Sequence, residues 1–324
     1  MKCSSDGRVA GWGRSMRRMI VLGGGTPLGR RVVASLRQNV EVDSAMGIEQ
    51  HPFDDPAMNE DLEFLSWAQD HRPFAEYLLK QEIDTIVDCG LVADRRGAAS
   101  QPSGADVISA MYVGAAIADE SSTVRSWVLA SSSAFYPIGS YMPLLQREDY
   151  SVSAADHARG SSIAEAEEYA RSLAKRLPHV NVAIMRLQEL AGRECRGPLS
   201  TILARPLVPR MLGFDPAIQL LHADDAVSAL SWAANVELAG VYNVSSAGML
   251  RWGEAVEAAG HRSVPILPIS ASLFEPLLEK MGIPFVPASM FDLLRYGQAI
   301  DTEKIIHAGW TPVNDQLDCL ASLA

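Results

Sequence analysis

The stretch Met19-Ile-Val-Leu-Gly-Gly-Gly-Thr-Pro-Leu-Gly29 runs straight on into Arg30-Arg-Val-Val-Ala-Ser-Leu36, and no other segment constrains the chain as much. The apolar run reads as a buried strand, the glycines as a tight turn, and the apolar spacing that follows as a helix over 26–39. Thr26 fits the N-cap of that helix and Pro27 its first position, where a missing N–H costs nothing. A strand that turns directly into a helix leaves unpaired backbone N–H groups at the helix start. Such a start suits an anion, and in βαβ folds it suits the pyrophosphate of a dinucleotide.

Strand-like runs recur at 44–49, 62–69, 84–89, 126–131 and 180–186, and helical patterns at 73–80, 106–120 and 161–176 lie between them. This alternation predicts an α/β fold, a Rossmann-like doubly wound parallel sheet with helices on both faces. After Leu187 the rhythm gives way to Pro- and Gly-rich loops, with strands expected at 217–222 and 241–244 and a helix at 224–235. The expected division is a dinucleotide-binding domain over 19–187, with 217–247 returning to it. Residues 188–216 and 248–324 then form a smaller C-terminal α/β lobe over the carboxyl ends of the strands. Residues 1–18, rich in Gly, Ser and Arg, lack the apolar centre of a secretory signal and read as a tail, a start placed too early, or a basic targeting arm.

The net charge of −11 argues against nucleic acid as a partner, since phosphate neutralisation needs a basic face. No apolar run approaches the ~20 residues that span a bilayer, so no membrane partner is expected. The four cysteines and seven histidines are scattered without metal-ligand spacing, which points to a reduced, cytoplasmic setting and no metal.

Five separated pieces together resemble an extended short-chain dehydrogenase/reductase of the NAD-dependent epimerase/dehydratase family. They are the turn at 23–29, Leu129-Ala-Ser-Ser-Ser-Ala-Phe-Tyr136, Leu221-His-Ala-Asp-Asp-Ala-Val227, Gly240-Val-Tyr-Asn-Val244 and Ala308-Gly-Trp-Thr-Pro312. The resemblance implies a cofactor site at Gly23, Thr26, Leu28 and Gly29, with Thr26 standing where the family has its middle glycine. A Cβ there crowds the pyrophosphate, while the Thr26 hydroxyl offers it a donor. Glu49, 20 residues after Gly29, falls where an acid accepts from the adenosine ribose hydroxyls, and this favours NAD over NADP. Asp70 matches either the family's acid near the adenine or a helix-start residue, and Gly90 closes a strand that lines the cofactor.

The family's proton chemistry uses a Tyr and a Lys four residues apart on one helix, together with a Ser or Thr at the end of the fifth strand. Ser132 fits the last role, four residues before Tyr136, with Ser131 and Ser133 as neighbours in the same run. None of the eight tyrosines has a Lys four residues on. The most natural register puts His157 in the Tyr place and Ser161 in the Lys place, with one or two residues of slip allowed. The stretch before His222 also lacks the Arg that clamps a substrate diphosphate in nucleotide-sugar members. Two functions remain open. One is an atypical NAD-dependent oxidoreductase or epimerase acting on a sugar nucleotide or other small carbonyl or hydroxyl substrate, with Ser132 and His157 in the relay. The other is a regulatory or structural protein that keeps the fold and the cofactor pocket without catalysis. The resemblance also implies a homodimer through helices near 106–120 and 161–176, where Ala110, Gly114 and Ala118 form a small-residue face.

Overall fold

The computed structural model describes residues 17–65, 70–92, 105–150, 161–267 and 288–323. The main sheet holds β1 (Arg17–Leu22), β2 (Val42–Glu49), β3 (Leu62–Phe64), β4 (Thr85–Asp88), β5 (Ser126–Ser132) and β6 (Asn181–Leu187). After β7 (Leu207–Met211), which lies elsewhere, β8 (Gly240–Val244) completes it. All seven strands run parallel, in the order β8-β6-β5-β4-β1-β2-β3. The chain starts mid-sheet, builds outward to β3, and then returns to β4 on the other side of β1. A crevice opens at such a reversal, between the carboxyl ends of β1 and β4. The ends are level there: Leu22 of β1 pairs with Ile48 of β2 and with Asp88 of β4.

Each face of the sheet is closed by helices with one apolar side. Helix α1 (Pro27–Arg37) buries Leu28, Val32, Val33 and Leu36, and packs beside α6 (Ala223–Asn235) over one face. Helices α2 (Arg72–Lys80), α3 (Ala105–Ile117) and α4 (Ser161–Arg176) cover the other, around Phe74, Leu78, Val113, Trp127 and Leu173. Gly114 of α3 belongs to the small-residue face, and it is covered from within the chain. A Cβ there would lie 2.5 Å from the Tyr169 ring of α4, and the Tyr169 hydroxyl donates to the Met111 carbonyl.

A third core, around Leu203, Val208, Met211, Trp252, Leu293 and Leu320, builds the smaller lobe. It comprises α5 (Pro198–Leu203), α7 (Trp252–Ala258), α8 (Ala288–Tyr296), α10 (Gln316–Ala321) and the parallel pair β7 and β9 (Arg262–Ile266). Helix α9 (Glu303–Ala308) does not share that core, because Ile305 and Trp310 pack into the core of the main sheet. Asp225 ties the far end of the chain to α6. Its carboxylate accepts from the Ser246 hydroxyl at 2.7 Å, from the Val313 and Asn314 amides at 3.0 and 3.2 Å, and from the Asn314 side chain at 3.1 Å. Among the described residues no helix is long and apolar enough to cross a membrane.

Candidate functional site

The glycine turn is the most tightly determined part of the crevice. Gly23 sits at φ +72°, in the left-handed region, and a Cβ on it would press on the Cys89–Gly90 peptide at 3.3 Å. A Cβ on Gly24 would meet the Gly47 Cα at 2.3 Å, so β1 and β2 come together here only without side chains. The amides of Gly23 and Gly24 donate to the Ile48 carbonyl, and the Gly25 amide to Oε1 of Glu49 at 2.8 Å. Thr26 caps α1: its Oγ1 accepts from the Gly29 amide at 3.0 Å and donates to the Gly23 carbonyl at 2.7 Å.

That cap alters the role expected of the Thr26 hydroxyl. Its proton goes to Gly23 and its lone pair to Gly29, so the group fixes the turn instead of offering a donor to a phosphate. Pro27 has no N–H at all. The Leu28 amide remains as the first-turn donor that no described protein group accepts from.

Thr26, Pro27 and Leu28 line a cleft together with Ser132 at the end of β5, Leu187 at the end of β6, Gln188, Glu189 and Leu190, and the run from Glu194 to Pro198. The cleft thus brings Thr26, Leu28 and Ser132 to one place. Ser132 Oγ accepts from the Ala134 amide at 3.2 Å, which starts a short turn at the strand end. Gly29 lies just behind, beneath the turn. Gly90 abuts Gly23 at the end of β4, and its amide donates to Asp88 at 2.9 Å.

Glu49 ends β2 beside the turn, half-buried. Burial raises its pKa above the usual carboxylate value, while the Gly25 amide and Arg30 pull the other way. A partly desolvated carboxylate is stabilised by further donors, which is what ribose hydroxyls supply. The residues present offer a dinucleotide a first-turn amide without a described acceptor, Leu28 N–H, and a carboxylate beside the turn, Glu49, which lies outside the cleft lining. Asp70, in contrast, is exposed and serves the start of α2. It accepts from the Arg72 amide at 3.0 Å and pairs with the Arg72 guanidinium at 2.7 Å, which holds its pKa down at about 2. His157 lies outside the described residues.

Beneath the cleft floor is a buried polar network that the sequence did not reveal. Arg186 on β6 and Glu167 on α4 form an ion pair, 2.7 Å between Nη2 and Oε2, with side chains 1% and 0% exposed. Ser131 donates to the same carboxylate at 2.6 Å, and Arg171 reaches it at 3.3 Å. Arg186 also donates to the Tyr136 hydroxyl at 2.8 Å and lies 3.4 Å from the centre of the Phe135 ring. Tyr136 in turn donates to Asn243 Oδ1 at 2.8 Å. Burial pushes the Tyr136 phenol up to about 12 against the pull of Arg186, so it remains neutral and is no base at ordinary pH.

The face of α4 that carries Glu167 onto β5 and β6 carries Ile163 one turn earlier. Ile163 is fully buried among Ala134, Phe135, Tyr136 and Ile300. Ile163 and Ala164 of α4 thus pack with Ala134, Phe135 and Tyr136 of the β5 strand-end turn. The signal in the sequence was Glu167, an acid within an otherwise apolar or small helix face (Ile163, Ala166, Ala170).

No protein-family model matches the sequence. The chain has the fold of the NAD-dependent epimerases and dehydratases, the extended short-chain dehydrogenase/reductase architecture. Solved structures with this fold include a putative epimerase from Burkholderia cenocepacia, at 19% identity and TM-score 0.70 over 96% of this chain and 98% of that one. A dTDP-glucose 4,6-dehydratase from Bacillus anthracis, solved with NAD, is 15% identical at TM-score 0.67 over 95% of each chain. A UDP-glucuronic acid 4-epimerase from Bacillus cereus, solved with UDP-glucuronic acid and NAD, gives 15% and 0.67 over 94% of this chain and 97% of that one. In sequence, the chain is 32% identical over 251 residues to uncharacterized proteins of Mycobacterium bovis and Mycobacterium tuberculosis. The match covers 76% of this chain and 66% of each relative, so the chain spans just under two thirds of their length.

Proposed function

We propose that this chain is a divergent member of the NAD-dependent epimerase/dehydratase family that binds NAD in preference to NADP. One observation carries the reading: the half-buried Glu49 carboxylate accepts from Gly25 in the same turn whose Leu28 lines the cleft. A carboxylate at that position accepts from two ribose hydroxyls and repels a 2′-phosphate. Bound there, NAD supplies a hydride acceptor or donor. Of the chain's own residues, Ser132 is placed to hydrogen-bond an oxygen of a small carbonyl or hydroxyl substrate, a sugar nucleotide among them.

The second reading, cofactor binding without catalysis, is favoured by Ile163 and by the neutral, fully engaged Tyr136. Neither furnishes the acid–base pair on which the family's chemistry rests. Both readings share the cofactor.

Calorimetric titration separates NAD from NADP. NADH is expected to bind about tenfold or more tightly than NADPH, and Glu49→Gln to narrow that gap by weakening NADH. Equal or tighter binding of NADPH would overturn the preference, and heat-silent titrations with both, at concentrations that also leave the melting temperature unchanged, would overturn the reading.

A further inference from the structure

A diphosphate ester carries about two negative charges at neutral pH, and the turn has little to set against them. Among the described residues every backbone N–H from Gly23 to Gly29 finds an acceptor except that of Leu28, and Pro27 has none. The two arginines that follow are turned to other work. Arg30 donates to the carbonyls of Gly25, at 2.9 Å, and Met58, and Arg31 pairs with Asp224. Among the described residues that line the cleft with Thr26, Pro27 and Leu28, Arg196 is the one cation, and Glu189 and Glu194 are the carboxylates.

Arg196 is held in place from both sides. Cys195 before it is buried, and the Gly197 amide after it donates to the Leu190 carbonyl at 3.1 Å. Its Nε donates to the Gly192 carbonyl at 3.3 Å and its Nη2 to the Leu323 carbonyl at 2.5 Å, while Nη1 is bonded to neither. Arg196 is thus half-buried, and its guanidinium is oriented by two carbonyls. Planar donors of this kind bind phosphate oxygens more strongly than neutral ones.

We propose that Arg196 supplies the positive charge that holds a diphosphate in this cleft, in place of the donors missing from the turn. The diphosphate is that of the dinucleotide, so the assignment rests on the cofactor reading above; a nucleoside diphosphate substrate offers the same chemistry, and the test tells the two apart.

NADH and, separately, UDP are titrated into wild type, Arg196→Met and Arg196→Lys by calorimetry. Arg196→Met is expected to weaken NADH about tenfold or more and Arg196→Lys only about threefold, since Lys keeps the charge. Thermal melting of the unliganded variants checks that each is folded. A merely structural role through the Gly192 and Leu323 carbonyls would not be rescued by Lys in this graded way. A loss for UDP with NADH unchanged supports the diphosphate role and makes the substrate its source. Unchanged binding of both ligands by Arg196→Met overturns the assignment alone, as does an equal loss in the Met and Lys variants. A wild type that binds neither ligand overturns the cofactor reading and the assignment with it.

Discussion

Replacing Arg186 by Leu is expected to lower the free energy of unfolding by about 3–5 kcal/mol. The whole stability of a chain of this kind is about 5–15 kcal/mol, so the variant should be near the edge of folding. The size follows from what the change leaves behind. Glu167 is fully buried and, among the described residues, would keep Ser131 and the more distant Arg171 as partners, while Tyr136 would lose the donor to its hydroxyl. Leaving one partner of a buried pair costs more than removing both. The double variant Arg186→Leu with Glu167→Leu should therefore recover much of the loss, and urea denaturation midpoints for the three proteins measure the difference. A single variant within 1 kcal/mol of wild type would mean that the pair does not anchor β6 to α4.

Gly29→Ala should cost about 3 kcal/mol and abolish NADH binding in the molecules that still fold. A Cβ at 29 would stand 2.1 Å from the Gly23 carbonyl oxygen and 2.8 Å from its carbon, and neither is the end of a flexible side chain. Backbone must move, and the groups that would move are the helix start carrying the Leu28 amide and the strand end carrying Gly23. The same oxygen accepts from Thr26 N and Oγ1, so the N-cap is disturbed as well. Stability by urea and binding by calorimetry, on the same preparation, should fall together. Wild-type NADH affinity in Gly29→Ala would show that close approach of α1 to β1 has no part in holding the ligand.

Much of the fold was legible because strands buried on both faces and helices with one apolar side leave strong patterns. The helix at 161–176 and the Thr26 cap stand where the pattern put them, and the strand at 180–186 is displaced by a single residue. The expected strand at 217–222 is instead two short strands in separate two-stranded sheets, Ala217–Ile218 and Leu221–His222. Between them Gln219 Oε1 accepts from the Ile300 amide, and the Leu220 amide donates to Gln316. Those partners lie some 80 to 96 residues away, beyond the reach of local pattern. The lobe pair β7 and β9 was hidden by Pro209 and Pro265, which read as breakers. Proline is tolerated there because a two-stranded pair is all edge.

The site divides in the same way. The turn and Glu49 were visible from glycine spacing and from the distance to the next strand end. The expected donor role of Thr26 failed on a local competition: a cap needs both the lone pair and the proton of that hydroxyl. The Arg186–Glu167 pair joins a strand to a helix 19 residues earlier, and a lone buried charge in either segment carries no mark of its partner.

The central claim is that the Leu28 amide takes a phosphate of NAD. Amide resonances of labelled protein, followed by NMR as NADH is added, test it directly. The account predicts a large downfield shift and slowed solvent exchange at Leu28, with smaller changes at Gly25 beside Glu49 and at Ser132. NADH that binds while the Leu28 amide keeps its position and exchange rate would place the pyrophosphate elsewhere and contradict the account.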